Sequence, residues 1–174
     1  QTGTPSTINL SAVAAGTGGL VIVGQQNNDR AGYSVASAGD YNGDGLADLI
    51  IGAPMVDAVP GTSQANDAGR TYVVFGRTGT TTIQLSDVAA GQGGFALSGV
   101  TGSDYVGYSV ANAGDINGDG LTDLIAGAYG VDANGNDAGR SYVILGNSQG
   151  ALLNMQIDQL GTVGADTLTA NTAS

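Results

Sequence analysis

The stretch Asp40-Tyr41-Asn42-Gly43-Asp44-Gly45-Leu46-Ala47-Asp48 returns 75 residues later as Asp115-Ile116-Asn117-Gly118-Asp119-Gly120-Leu121-Thr122-Asp123. Both copies carry oxygen-bearing side chains at positions 1, 3, 5 and 9, with glycine at 4 and 6. A hard divalent cation wants several oxygen donors gathered by one tight turn, and the glycines relieve the backbone strain of making it. Two expectations follow. Each loop holds one cation, with Ca2+ the best match, and the chain is built from repeats.

Outward from the loops the duplication widens. Between residues 32–53 and 107–128, eighteen of twenty-two positions are identical, which chance does not produce. Upstream, Ile8-Asn9-Leu10-Ser11 faces Ile83-Gln84-Leu85-Ser86. Downstream, residues 67–76 face 137–146 at an offset of 70, so length varies in a surface loop around 56–66. Near the end, Met155-Gln156-Ile157-Asp158-Gln159-Leu160 resembles Ile83-Gln84-Leu85-Ser86-Asp87-Val88 and opens a third copy. The units are 1–76 with loop 40–48, 77–150 with loop 115–123, and 151–174 as a partial third repeat, exchanged strand or tail.

Within one unit, Leu20-Val21-Ile22-Val23, Tyr33-Ser34-Val35-Ala36, Asp48-Leu49-Ile50-Ile51 and Thr71-Tyr72-Val73-Val74-Phe75 are short β-branched or aromatic runs bounded by Gly, Asn and Asp. They read as strands, with the acidic loop joining the second to the third. Only residues 10–15 and 87–90 suggest a helical turn. Four to five strands per repeat predict an all-β chain of blades or a solenoid.

Composition narrows the chemistry. The 174 residues include no Glu, Lys, His, Cys or Trp; all fifteen acids are Asp, and the four bases are Arg30, Arg70, Arg77 and Arg140. Without imidazole, thiol or lysine, general-base and nucleophilic catalysis lose their usual carriers, so an enzyme is not expected. The net charge of −11 argues against nucleic acid and anionic membranes. No run is long and apolar enough for a membrane span, and no signal peptide is visible. The chain begins at Gln1, which reads as a processed product or a segment of something longer. Acidic loops of modest charge suit the millimolar calcium outside cells.

Taken together, Gly32-Tyr33-Ser34-Val35-Ala36, the Asp-x-Asn-x-Asp-Gly-x-x-Asp loop, residues 48–54 and residues 69–76 resemble the FG-GAP repeat. That repeat occurs in integrin α-subunit β-propellers and in many bacterial surface proteins. The resemblance covers about 150 residues and implies one four-stranded blade per unit, calcium in the strand-connecting loop, and a role in adhesion or ligand recognition. Carried over residue by residue, one calcium falls to Asp40, Asn42, Asp44, the Leu46 carbonyl and Asp48. The other falls to Asp115, Asn117, Asp119, the Leu121 carbonyl and Asp123. An EF-hand would continue into a helix with an acid at position 12, where this chain has Ile51 and Ala126.

Two complete blades and the start of a third cannot close a seven-bladed ring. Closure needs more chain or further copies; otherwise the contacts make an open filament. The expected role is a calcium-stabilised, non-catalytic, extracellular or cell-surface repeat protein, part of a fibre or adhesin. It would self-associate through repeat or strand-addition contacts. The competing roles are a glycan- or protein-binding propeller segment and an accessory domain of a secreted hydrolase.

Other motifs carry less. The loops could be plain Asx turns. Arg70 and Arg140 recur, which favours structural hydrogen bonds over a ligand clamp, and the recurring Tyr33, Tyr72, Tyr108 and Tyr142 favour packing between blades over sugar stacking. Residues 161–168 resemble one degenerate copy of a calcium-binding nonapeptide repeat. Asn9-Leu10-Ser11 matches a glycosylation sequon, and residues 78–82 and 167–174 offer hydroxyls for O-linked sugars.

Overall fold

A computed structural model of the chain describes residues 7–57, 66–132 and 135–147. The third-copy segment at 155–160, the nonapeptide-like residues 161–168, the tail hydroxyls and most of the variable loop lie outside these residues. Among the described residues two short helices, α1 (Leu10–Ala14) and α2 (Leu85–Ala89), accompany nine strands. The strands are β1 (Ile22–Val23), β2 (Ser34–Gly39), β3 (Asp48–Ala53), β4 (Arg70–Val74), β5 (Ile83–Gln84), β6 (Gly94–Ser98), β7 (Ser109–Gly114), β8 (Asp123–Ala128) and β9 (Arg140–Ile144). The mostly-β expectation holds; the first helical turn falls where it was expected, and the second overlaps the expected 87–90 but begins two residues earlier, at Leu85. Among the described residues the sheets close no ring, and no helix is long and apolar enough to cross a membrane.

The first sheet is antiparallel in the order β2-β3-β4-β6. Its apolar residues alternate between two faces because successive side chains of a strand point to opposite sides. Ile51 and Tyr72 share one face, on which Ile83, Leu85 and Val88 of the β5–α2 segment pack. Ile50, Val73 and Phe95 share the other, which packs against the second sheet through Leu124. Burying each large side chain contributes roughly 1.5–3 kcal/mol, so the face shared by the two sheets is a principal source of cohesion. The second sheet repeats the order as β7-β8-β9.

Sheet and sequence repeat are out of phase by one strand. β6, which closes the first sheet by pairing with β4 from Arg70↔Ser98 to Val74↔Gly94, comes from the second sequence unit. The chain runs from β4 through β5 and α2 before returning to that edge, so the first sheet depends on the following repeat for its last strand.

Candidate metal centre

Each acidic loop is the β2–β3 or β7–β8 connection. Gly43 and Gly45 stand at φ 74° and 86°, and Gly118 and Gly120 at 79° and 86°, values that side chains resist. In the first loop Asp40 accepts the Asp44 and Gly45 N–H groups, one on each carboxylate oxygen, at 2.9 Å. The Asn42 amide oxygen accepts the same Asp44 N–H at 3.0 Å, and its Nδ2 donates to Asp44 Oδ2 at 2.9 Å. Asp44 Oδ1 accepts the Leu46 N–H at 2.8 Å. The second loop repeats this network: Asp115 accepts from Asp119 and Gly120, Asn117 accepts from and donates to Asp119, and Asp119 accepts from Leu121.

The structure thus brings Asp40, Asn42 and Asp44 together, and likewise Asp115, Asn117 and Asp119. Asp48 and Asp123 play a different part. Both are fully buried. Asp48 accepts the Tyr41 N–H at 2.9 Å and the Gly76 N–H at 2.7 Å; Asp123 does the same with Ile116 and Gly146, both at 2.7 Å. Each ninth-position carboxylate therefore ties the loop's beginning to the chain just past the sheet's third strand. Burial pushes the Asp48 carboxyl above its ordinary range, against the lowering effect of the Gly76, Tyr41 and Asn42 N–H groups.

Among the described residues no three acidic side chains form a ready-made cation cage. What converges is two carboxylates and one amide, all hard oxygen donors, while the third carboxylate, at the ninth position, already serves backbone N–H groups. The donor chemistry fits Ca2+ at the first three side-chain positions and at the exposed seventh residue, where Leu46 offers a carbonyl. Asp48 can join only through the lone pairs its two hydrogen bonds leave over.

Sequence reasoning missed Tyr41. Its hydroxyl donates to the Leu145 carbonyl at 2.8 Å, and its own carbonyl accepts the Asn147 N–H at 3.2 Å, so the first acidic loop is tied to the end of the second sheet. Burial pushes its phenol up to about 12, with the Asp123 carboxylate adding to the effect. The available signal was that Tyr41 is among the few loop residues that differ from the second copy, where Ile116 stands. Arg70 is held structurally: Nε donates to Ser98 Oγ at 2.8 Å and Nη1 to Gln25 Oε1 at 2.7 Å, with the guanidinium 5.9 Å from the Tyr72 ring. Arg140 keeps the equivalent ring contact, with Tyr142. Tyr33 and Tyr108 meet across the two sheets with ring centroids 5.0 Å apart, the packing role expected of them.

Comparison with known proteins accords with this architecture. The FG-GAP repeat family matches residues 31–74 and 106–144. Integrin alpha-5 of Xenopus laevis is 34% identical over 113 residues, covering 65% of this chain and 10% of that protein. Integrin alpha-PS2 of Drosophila melanogaster is 33% identical over 136 residues, 75% of this chain and 9% of the relative. Human integrin alpha-11 is 35% identical over 109 residues, 59% of this chain and 8% of the relative. The chain spans about a tenth of the length of these relatives.

Proposed function

We infer, for a chain that carries two FG-GAP repeats and is related to integrin alpha chains, a non-catalytic role in extracellular adhesion as a calcium-stabilised segment of a surface adhesin or fibre. Its setting in this reading is a bacterial surface protein with units 1–76, 77–150 and 151–174. The observation that carries the reading is the twice-built loop, with the same side chains converging through the same hydrogen bonds in both copies. Calcium would be held by Asp40, Asn42, Asp44, the Leu46 carbonyl and Asp48, and by Asp115, Asn117, Asp119, the Leu121 carbonyl and Asp123. The ion supplies positive charge where carboxylates crowd and so rigidifies the loop. Asp48 and Asp123, through Gly76 and Gly146, pass that rigidity to the strands.

Calorimetric melting in chelator and in millimolar calcium tests the sites. A cation at a hundred times its Kd stabilises by about 2.7 kcal/mol, which for a chain of this size raises Tm by roughly 5–10 °C per site. Asp44→Ala combined with Asp119→Ala should abolish the calcium response. Superimposed curves in chelator and calcium, with no binding heat on titration, would remove calcium from this account.

A second reading has its own support. The rings of Tyr33, Tyr108, Tyr129 and Tyr105 form a continuous row, with successive centroids 5.0, 4.7 and 4.9 Å apart. Tyr33, Tyr108 and Tyr129 are exposed, and exposed aromatic faces stack on sugars. Saturable glycan binding lost in Tyr129→Ala would favour a carbohydrate-binding segment.

A further inference from the structure

The contact between the two sheets leaves an unused copy of each of its halves at opposite ends of the molecule. In the contact itself, residues 99–108 lie across the segment Asn66-Asp67-Ala68-Gly69. The N–H groups of Ser103, Tyr105, Val106 and Gly99 donate to the carbonyls of Asn66, Asp67, Ala68 and Gly69 at 2.8, 3.1, 3.0 and 2.8 Å. Ser34 Oγ donates to the Gly107 carbonyl at 2.8 Å. Gly52 leaves room for that carbonyl, because a Cβ there would collide with it.

The second sheet carries the same receiving surface with none of the described residues on it. Asn136-Asp137-Ala138-Gly139 repeats the receiving segment, and its four carbonyls have no donor among the described residues. Gly127, the counterpart of Gly52, meets only its own sheet's Ser109. The apolar residues tell the same story. Val73 is 0% exposed and its counterpart Val143 48%; Tyr41 is 1% exposed and its counterpart Ile116 58%.

The inserting half is duplicated too. Residues 24–33 correspond to 99–108 and are already folded the same way. Asn28, Arg30 and Gly32 stand at φ 68°, 55° and 86°, against 66°, 55° and 84° for Ser103, Tyr105 and Gly107. The buried Asp29 accepts the Gln26 N–H as Asp104 accepts that of Thr101. The N–H groups of Gly24, Asn28, Arg30 and Ala31 find no acceptor among the described residues. Beside them Leu49 is 43% exposed, whereas its counterpart Leu124, packed between the sheets, is 0% exposed. Four unmatched donors at one end thus answer four unmatched acceptors at the other, each set flanked by exposed apolar side chains. Unpaired backbone groups and exposed apolar surface of this kind favour a partner.

We propose that a second copy of this chain docks here head to tail, seating its residues 24–33 and Leu49 on the 136–139 segment, Ile116 and Val143. The template is the contact inside each molecule. The association is heterologous, so it propagates into a closed ring of several chains or an open filament. It gives the self-association of the adhesin reading a definite surface, yet it stands whether or not the chain binds a ligand or calcium.

Sedimentation of the full chain, with calcium present, tests it together with two charge variants at side chains exposed in the single molecule. Leu49→Asp blocks the head and Val143→Asp the tail. The wild-type chain should grow in mass with concentration beyond its 17.0 kDa. Each variant alone should stay at the single-chain mass with an unchanged melting temperature. An equimolar mixture of head-blocked and tail-blocked chains should form a dimer and stop there. A wild-type chain that remains single up to millimolar concentration overturns the proposal. So does a tail variant that still self-associates, or a mixture that yields no dimer. A Val143→Asp chain that melts lower while the wild type stays single would assign the face to another segment of the same molecule.

Discussion

The two sheets are near-copies in sequence, yet one is enclosed and the other half open. Ile50 and Val73 of the first are completely buried, while Ile125 is only partly covered and Val143 is exposed. Nothing in the strands explains this, since residues 48–53 and 123–128 differ at a single position. The difference is the neighbour. The first sheet has β6 on its edge and both faces covered, by the β5–α2 segment and by the second sheet; among the described residues the second sheet has no counterpart of β6 and only the first sheet on one face. A repeat of this kind cannot bury its apolar surface alone, and its stability is partly a property of the repeat that follows.

The strongest way to break this comparison is to truncate the same side chain in both sheets. Ile50→Ala opens a cavity in a closed core and should cost about 3 kcal/mol in denaturant unfolding, whereas Ile125→Ala in dilute solution should cost about 1 kcal/mol or less. Equal losses would mean that the second sheet is covered in solution by something the described residues do not contain.

Adding an atom gives a smaller contrast. A Cβ at Gly52 runs into the Gly107 backbone carbonyl, so Gly52→Ala should destabilise by about 1–3 kcal/mol and loosen the sheet contact. At Gly127 the intruding methyl meets chiefly the Ser109 hydroxyl, which can rotate away, so Gly127→Ala should fall within about 1 kcal/mol of the parent. If Gly127→Ala proves as costly as Gly52→Ala, the face is already occupied.

The smallest effect sharpens the comparison at its one point of equality. Asp29 and Asp104 cap equivalent loops, and burial raises both carboxyls above 3.8. Arg70 opposes that rise and Asp57 adds to it at the first site, as Arg140 and Asp132 do at the second. A raised folded-state value means that the native chain holds its proton to higher pH than the unfolded chain. Stability contributed by the protonated form is therefore lost as pH rises through the raised value. Asparagine keeps the accepting oxygen and removes the charge. Asp29→Asn and Asp104→Asn should each melt slightly higher than the parent at pH 7, and the advantage should vanish near pH 3. Opposite signs at the two sites would show that the loops are not the same device.

Much was legible beforehand because it is local. Glycine at alternate loop positions, Asp and Asn between them and β-branched runs on either side dictate a turn between two strands, and those elements stand where the residues put them. The helical turns expected at 10–15 and 87–90 were legible for the same reason, the second starting two residues earlier than read, at Leu85. The ninth loop position shows where such reading stops. By type and spacing Asp48 belongs with Asp40 and Asp44, but Gly76, twenty-eight residues away, claims one of its oxygens. Tyr41 was passed over because its hydroxyl bonds a carbonyl 104 positions along the chain.

Residue order alone therefore determined the duplication, the strand and turn chemistry, the oxygen-rich loops and the absence of the usual catalytic side chains. Tertiary structure decided that the first sheet borrows its last strand from the next unit, that the ninth-position aspartates staple strands, and that near-identical strands end up sealed in one place and open in another. The physical reason is that hydrogen bonds within a turn and the alternation of a strand act over a few residues. Burial depends instead on whichever surface arrives from far along the chain.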